Sequence, residues 1–221
     1  AGQDAEKAIE SSIRSLAKKG IEVIGYTDST TSMDAAVKRA VTTGVNQTAL
    51  KSSLESCNDY GINIVKTSSH SGARPSHAEW QGQFFYLNKP VKGLKKFKSA
   101  TGYGKVDGLG GANCRHSFYE VTDYEYKHNL VKGDRFNKNR NEEQYELEQK
   151  QRYYERQIRK WKKEKQILDE AGIDSTLATK KVKEWQSRRT EFIKTSNKKF
   201  NNKHGVKNVL KTSYQREKVI K

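Results

Sequence analysis

The chain has 221 residues, enough to bury a real core, but only 33% of them are hydrophobic and 31% are charged, which suits a compact part joined to solvent-exposed helices. Lys and Arg number 43 against 26 Asp and Glu, and a net charge of +17 calls for a polyanionic neighbour, nucleic acid first. No run approaches the roughly 20 apolar residues of a spanning helix and no secretory pattern opens the chain, so a membrane is set aside as the polyanion.

From Gln3 to Lys19, Ala5, Ile9, Ile13 and Leu16 recur at helical spacing, with Gly20 as the stop. Ile21 to Tyr26 reads as a strand or extended linker, followed by a polar loop through Ser32. Ser32 is placed to cap a helix running to about Tyr60, with an apolar face of Met33, Val37, Ala40, Val41, Val45, Leu50 and Leu54. Ile62 to Val65 is expected as a strand, and Gln83 to Leu87 as another. Lys89 to Lys105 reads as a basic loop, Asp107 to Gly111 as glycine-rich, and Cys114 to Val121 as the strand that closes the compact region near Tyr126. Lys127 to Asn141 resembles a linker. Leu147, Tyr154, Ile158, Trp161 and Leu168 then repeat close to a heptad. After a break at Ala171-Gly172 comes a second pattern of Ala178, Val182, Trp185 and Phe192, with Asp174 or Ser175 as its cap. The expected fold is α+β: a small sheet packed with helices over residues 1–126, a linker over 127–141, and a basic antiparallel helical hairpin with a semi-ordered tail over 142–221.

Chemistry concentrates in one loop, where His70, Arg74, His77, Glu79 and Gln81 lie close in sequence, with Cys114 and His116 on a strand that can sit beside it. Three readings stand side by side. His70, His77, Cys114 and His116 offer the imidazole and thiolate ligands that zinc prefers, at a spacing that matches no standard zinc pattern. As an active site, the histidines would serve as general acid and base and Arg74 would stabilise a phosphate, giving ribonuclease-like or nuclease-like chemistry with Glu79 and His116 as further candidates. In the structural reading, Arg74 and the histidines bond backbone carbonyls to fix a long loop, while Trp80 and Phe84 anchor it in the core. The glycines from Gly102 to Gly111 lack a phosphate-loop pattern and are expected as turns. Cys57, near a helix end, reads as a small buried hydrophobe, and the two cysteines form no CxxC pair, which fits a reducing compartment. The start at Ala1-Gly2-Gln3, without methionine, fits a fragment or a processed product.

The positive charge is regional. From Leu147 to Lys221 there are 22 Lys/Arg against 9 Asp/Glu, a surplus of 13 out of the total of 17. Lysines on a helix are usually a solvated face, and Glu148, Glu155 and Glu164 supply some local pairing, but a surplus of this size exceeds what such pairing neutralises. Arg152, Arg156, Arg159, Lys160, Lys162, Lys163, Arg188 and Arg189 are the candidate contacts to double-stranded DNA, nonspecific and salt-dependent.

HSGARPSHAEWQGQFF at His70 to Phe85, followed by YGKVDGLGGANCRHSFYEV at Tyr103 to Val121, closely resembles the signature of the phage minor capsid protein 2 family. More loosely it is similar to the Mu F-type head morphogenesis domain, whose Arg-x-x-His, apolar residue before glycine, and Asn-Cys-Arg fall here on Arg74, His77, Trp80, Gly82 and Asn113-Cys114-Arg115. The segments AVKRAVTTGVNQTA at Ala36 to Ala49 and EQYELEQKQRYYERQIRKWKKE at Glu143 to Glu164 also look like the family's flanking helices. The resemblance implies a minor head protein present in few copies in the virion. It would be made in the host cytoplasm and assembled with portal and capsid proteins; many members are longer at the N-terminus, where portal attachment is expected, so the resemblance does not carry that attachment onto this chain. It carries no catalytic role onto Arg74, His77, Trp80, Gly82, Asn113, Cys114, Arg115 or His116, which are expected as a structural constellation with the zinc and enzymatic readings left open and no other cofactor.

Overall fold

The computed structural model describes residues 7, 9–11, 13–15, 22–24, 30–134 and 137–219. In chain order its elements are β1 (Glu22–Ile24), β2 (Thr30–Ser32), α1 (Met33–Asp59), β3 (Ile64–Thr67), α2 (Pro75–Ala78), β4 (Phe84–Tyr86) and β5 (Lys95–Lys96). These are followed by α3 (Phe97–Thr101), β6 (Phe118–Val121), α4 (Asp123–Lys127), α5 (Lys138–Glu170), α6 (Thr176–His204) and a 3-10 turn at Tyr214–Glu217. Residues 7, 9–11 and 13–15 are helical as well. Ala5, Leu16 and Gly20 of the expected first helix, and Ile21 and Tyr26 of the expected strand, lie outside the described residues. The fold is α+β, as the pattern of the sequence predicts. It divides into two compact units: Ala35–Tyr145, and the described residues of Ala1–Asp34 together with those of Glu146–Lys221.

In the Ala35–Tyr145 unit the described strands form a sheet in the order β5-β4-β3-β6, with β3 antiparallel to β4 and β6 and β5 parallel to β4. All of β3 is buried because it lies between two partners, and Val65 faces a core of Leu50, Cys57, Trp80, Phe85, Leu87, Phe97, Leu109 and Phe118. This apolar burial, on the order of 25 cal/mol for each Å² removed from water, is the main force holding sheet to helices. The α1 helix contributes only its last turns. Leu50 and Cys57 are buried, whereas Val37, Val41 and Val45 of the expected apolar face are exposed. Cys57 acts as a hydrophobe, and burial pushes its thiol up to about 11. Both cysteines are free.

Four regions differ from the sequence expectation. The segment Thr30–Ser32, expected as loop, pairs with β1 as an antiparallel ribbon. The basic stretch expected as loop from Lys89 to Lys105 holds β5 and α3, because the single aromatic Phe97 is wholly buried and draws the chain onto the sheet. Ladder pairing of the closing strand begins at Phe118 rather than at Cys114. Residues 127–141, expected as a linker, include the start of α5 and two residues tied back to the unit: Asp134, paired with Lys66, and the buried Asn141.

In the other unit α5 and α6 are the expected helices, joined by a short turn in which Gly172 takes φ +67° and the Ile173 N–H donates to the Leu168 carbonyl at 2.9 Å. Asp174 caps α6 by accepting from the Thr176 N–H at 3.0 Å. Ile158, Leu168, Ala178 and Phe200 are buried, and Tyr154 lies against Trp185 and Phe192. The tail after Gly205 folds back on the hairpin. Asn197 exchanges two hydrogen bonds with Leu210, at 2.9 and 2.8 Å, Gln151 donates to the Lys211 carbonyl at 2.8 Å, and Arg189 forms a buried ion pair with Glu217. No described helix is long and apolar enough to cross a membrane.

Candidate metal centre and nucleic-acid surface

Local geometry explains why His77, Cys114 and His116 meet. Pro75 sets the first turn of α2, and the Arg74 carbonyl accepts the His77 and Ala78 amides at 2.9 and 3.0 Å. His77 and Gln81 are then one helical turn apart and face the same way. Opposite them the chain from Cys114 is extended, with Cys114, His116 and Phe118 buried and Arg115 and Ser117 exposed. This period of two puts thiol and imidazole on one side. Ser68 holds this segment through its amide to the Ser117 carbonyl at 2.8 Å and its hydroxyl oxygen to the Ser117 amide at 2.9 Å.

At the centre, His77 Nδ1 and His116 Nδ1 are 3.3 Å apart, and Cys114 Sγ lies 3.9 Å from the first and 3.7 Å from the second. The three residues are 2, 4 and 1% exposed in the order His77, Cys114, His116. Burial drives both imidazoles toward the neutral form, that of His116 to about 3, helped by the charges of neighbouring histidines and arginines. The outer nitrogens are fixed. His77 Nε2 lies 2.8 Å from the Asp107 carbonyl, which can only accept, so this nitrogen carries the proton. His116 Nε2 lies 3.1 Å from Gln81 Oε1, an atom that must be oxygen because it also accepts the His70 amide at 3.0 Å. Trp80 closes the site, its ring 4.7 Å from that of His77 and 4.8 Å from that of His116.

The other expected residues take supporting places. His70 stacks on His116 at 4.2 Å and its Nδ1 meets the Ser71 carbonyl at 3.1 Å, so it stands outside the three-donor group. Arg74 donates to the Ala112 carbonyl at 2.9 Å, and Glu79 pairs with Lys138 at the surface. Asn113 takes φ +58° at the turn before Cys114, whose carbonyl accepts from the Asn46 side chain at 3.3 Å; Arg115 is exposed. Gly82 is at φ +68°, and a Cβ there would come within 2.6 Å of Asp134 Cβ. The glycine-rich loop spends its amides internally, Leu109 on the Thr101 carbonyl at 3.0 Å and Ala112 on that of Val106 at 2.7 Å, as turns rather than a phosphate cradle. Residue-type reasoning missed Asp107 and Asn141. Asp107 acts through its backbone, and Asn141 clamps the loop from 68 positions away, donating to the Ala73 carbonyl at 2.7 Å and accepting its amide at 3.0 Å.

The cations of the hairpin divide. Arg156, Lys160 and Arg188 are exposed, while Arg152, Arg159 and Lys163 are half-buried. Arg152 reaches Glu148 at 3.5 Å, Arg188 pairs with Glu184 at 2.6 Å and lies over the Trp185 ring, and Arg159 donates to the Arg216 carbonyl. Lys162 donates to the Glu217 carbonyl at 3.2 Å and, with Arg189, is turned to internal use. On α6 a further exposed set, Lys180, Lys183, Lys194 and Lys198, follows helical spacing on the side away from buried Ala178, Arg189 and Phe200. The 3.6-residue period would have found it in the sequence.

The motif side chains turn inward, several of them onto the chain's own backbone, and the helical hairpin carries cations on the side away from its buried residues. Residues 1–194 match the phage minor capsid protein 2 family, and the chain belongs to it. It is 30% identical over 161 residues to a structural protein of Lactococcus phage LL-H, covering 67% of this chain and 40% of that protein. It is 28% identical over 126 residues to a structural protein of Lactococcus phage mv4, covering 53% of this chain and 86% of that one. No solved structure matches the chain.

Proposed function

We propose that this phage structural protein has its place in the virion at the head or portal vertex, and that its basic hairpin neutralises phosphates of packaged double-stranded DNA without reading bases. The Ala35–Tyr145 unit is the part assigned to portal and capsid partners in this reading. The observation that carries it is the placement of charge. On α5 Arg156, Lys160 and Lys163 lie away from buried Ile158, on α6 Lys180, Lys183, Lys194 and Lys198 lie away from the buried side, and the segment has 13 more cations than anions. Side chains on the outer side of both helices are placed to contact phosphates, which carry no base sequence.

The test is binding of the purified full chain to unrelated double-stranded DNA sequences across a salt series. Affinity is expected to be independent of sequence and to fall linearly in log–log form. Replacing Arg156, Lys160 and Lys163 together by Gln should lower the salt slope by about 2 to 3, given roughly 0.9 for each phosphate contact. Absence of binding at low salt would assign the charge to an acidic protein partner and sink the DNA reading. Cleavage of the same DNA, lost in His77→Ala or Arg74→Ala, would replace it with a nuclease reading.

A further inference from the structure

The polar interior of the Ala35–Tyr145 unit contains an arrangement that hydrogen bonding alone leaves unbalanced. With N–H groups fixed on the outer nitrogens by the Asp107 carbonyl and Gln81 Oε1, His77 and His116 both turn Nδ1 inward, at 3.3 Å from each other. Two lone pairs facing each other at this distance repel unless a proton or a cation lies between them. The Cys114 thiol carries one proton and can direct it to one nitrogen only.

The triangle of donor atoms also has a recognisable size. Zinc sits about 2.0 to 2.1 Å from an imidazole nitrogen and about 2.3 Å from a thiolate, so a tetrahedral centre separates two nitrogens by about 3.3 Å and a nitrogen from a sulfur by about 3.6 Å. The corresponding distances in this chain are 3.3 Å, 3.7 Å and 3.9 Å. Metal-bound imidazoles characteristically donate their other N–H to a carbonyl or carboxylate, which fixes the ring, and both rings do so here. We infer that His77 Nδ1, His116 Nδ1 and Cys114 Sγ form a zinc-binding site that staples α2 to the segment entering β6.

Binding replaces the thiol proton: Cys114 S–H loses H+ to solvent, the sulfur becomes thiolate, and the two nitrogens contribute their lone pairs without changing protonation. A water completes the tetrahedron, because His70 is committed to stacking on His116 and to the Ser71 carbonyl. The site ties together residues 39 positions apart, and so constrains a loop that otherwise depends on the Asn141 clamp and on Trp80.

The full chain, purified without added chelator, equilibrated with Zn2+ and dialysed, is expected to retain about one zinc per molecule by elemental mass spectrometry. With Co2+ in its place, a thiolate-to-cobalt charge-transfer band should appear, be absent from Cys114→Ser, and persist in Cys57→Ala, which removes the only other sulfhydryl. Far-UV circular dichroism checks that each variant is folded. If the Cys114 variant fails to fold, the wild-type band together with its persistence in Cys57→Ala still assigns the sulfur. Folded wild-type chain holding under about a tenth of an equivalent of either metal would overturn the site. So would a charge-transfer band that survives in folded Cys114→Ser.

Discussion

Lys66 shows how one side chain sets the behaviour of its surroundings. It sits on the central strand with its side chain 6% exposed, and its Nζ meets Asp134 Oδ1 at 2.6 Å, while Asp134 remains 37% exposed and also accepts from Ser69. Burial alone would lift the Asp134 carboxyl, but the bonds from Lys66 and Ser69 and the charge of Lys66 outweigh it and hold the group below its usual range. Its folded pKa is therefore depressed. The stabilisation is present above the unfolded carboxylate value and disappears as pH falls through the folded one. Asp134→Ala should cost about 2 kcal/mol near neutral pH by chemical denaturation, discounted from the value of a fully buried pair because water reaches the carboxylate. The deficit relative to the parent should shrink in acid; a deficit that is constant with pH would show that the pair is not its source. Asn141→Ala is the second test at this scale. It leaves the buried amide and carbonyl of Ala73 without partners, and a loss of about 2 kcal/mol or more is expected in the same measurement. Histidine and cysteine announce themselves in a sequence through their chemistry, which is why His77, Cys114 and His116 were legible. Asp107 and Ala73 take part through backbone atoms that every residue has, and so leave no mark there.

Among the elements, α5 and α6 were legible because their apolar positions repeat over many turns. The α3 helix was not, since one wholly buried aromatic, Phe97, among lysines determines it. The α4 helix is five residues long and rests on a capping box in which Thr122 and Glu125 satisfy each other's amides, a short signal within a polar stretch. The tail is the clearest departure from expectation at this scale. A polar, basic stretch reads as semi-ordered, but Asn197, Gln151 and Arg189 hold it at Leu210, Lys211 and Glu217, all contacts distant in sequence. Glu217→Ala strands the Arg189 guanidinium in a buried place and should cost about 3 kcal/mol. Limited proteolysis should then cut the segment after Gly205 far faster than in the parent chain. Equal cleavage rates would mean that the ion pair does not hold the tail.

On the scale of the whole chain, composition alone separated a cation-rich part from a mixed one, and the α+β class followed from the order of strand-like and helix-like segments. The membership of the described residues among the first 34 in the same compact unit as the hairpin had no counterpart in composition or periodicity. It depends on contacts such as the bond from Arg14 to the Asp174 carbonyl at 3.3 Å, which join positions 160 apart. That discontinuity bears on the order of events at the ribosome. The residues of Ala35–Tyr145 are all synthesised before most of the hairpin, so their unit can consolidate first. The other unit must hold its first segment in waiting until Glu217 arrives to meet Arg189, 72 residues of synthesis after Tyr145. At about 5 to 20 residues per second this is a delay of roughly 4 to 14 s. Throughout it the cationic surface of that unit exists only in part.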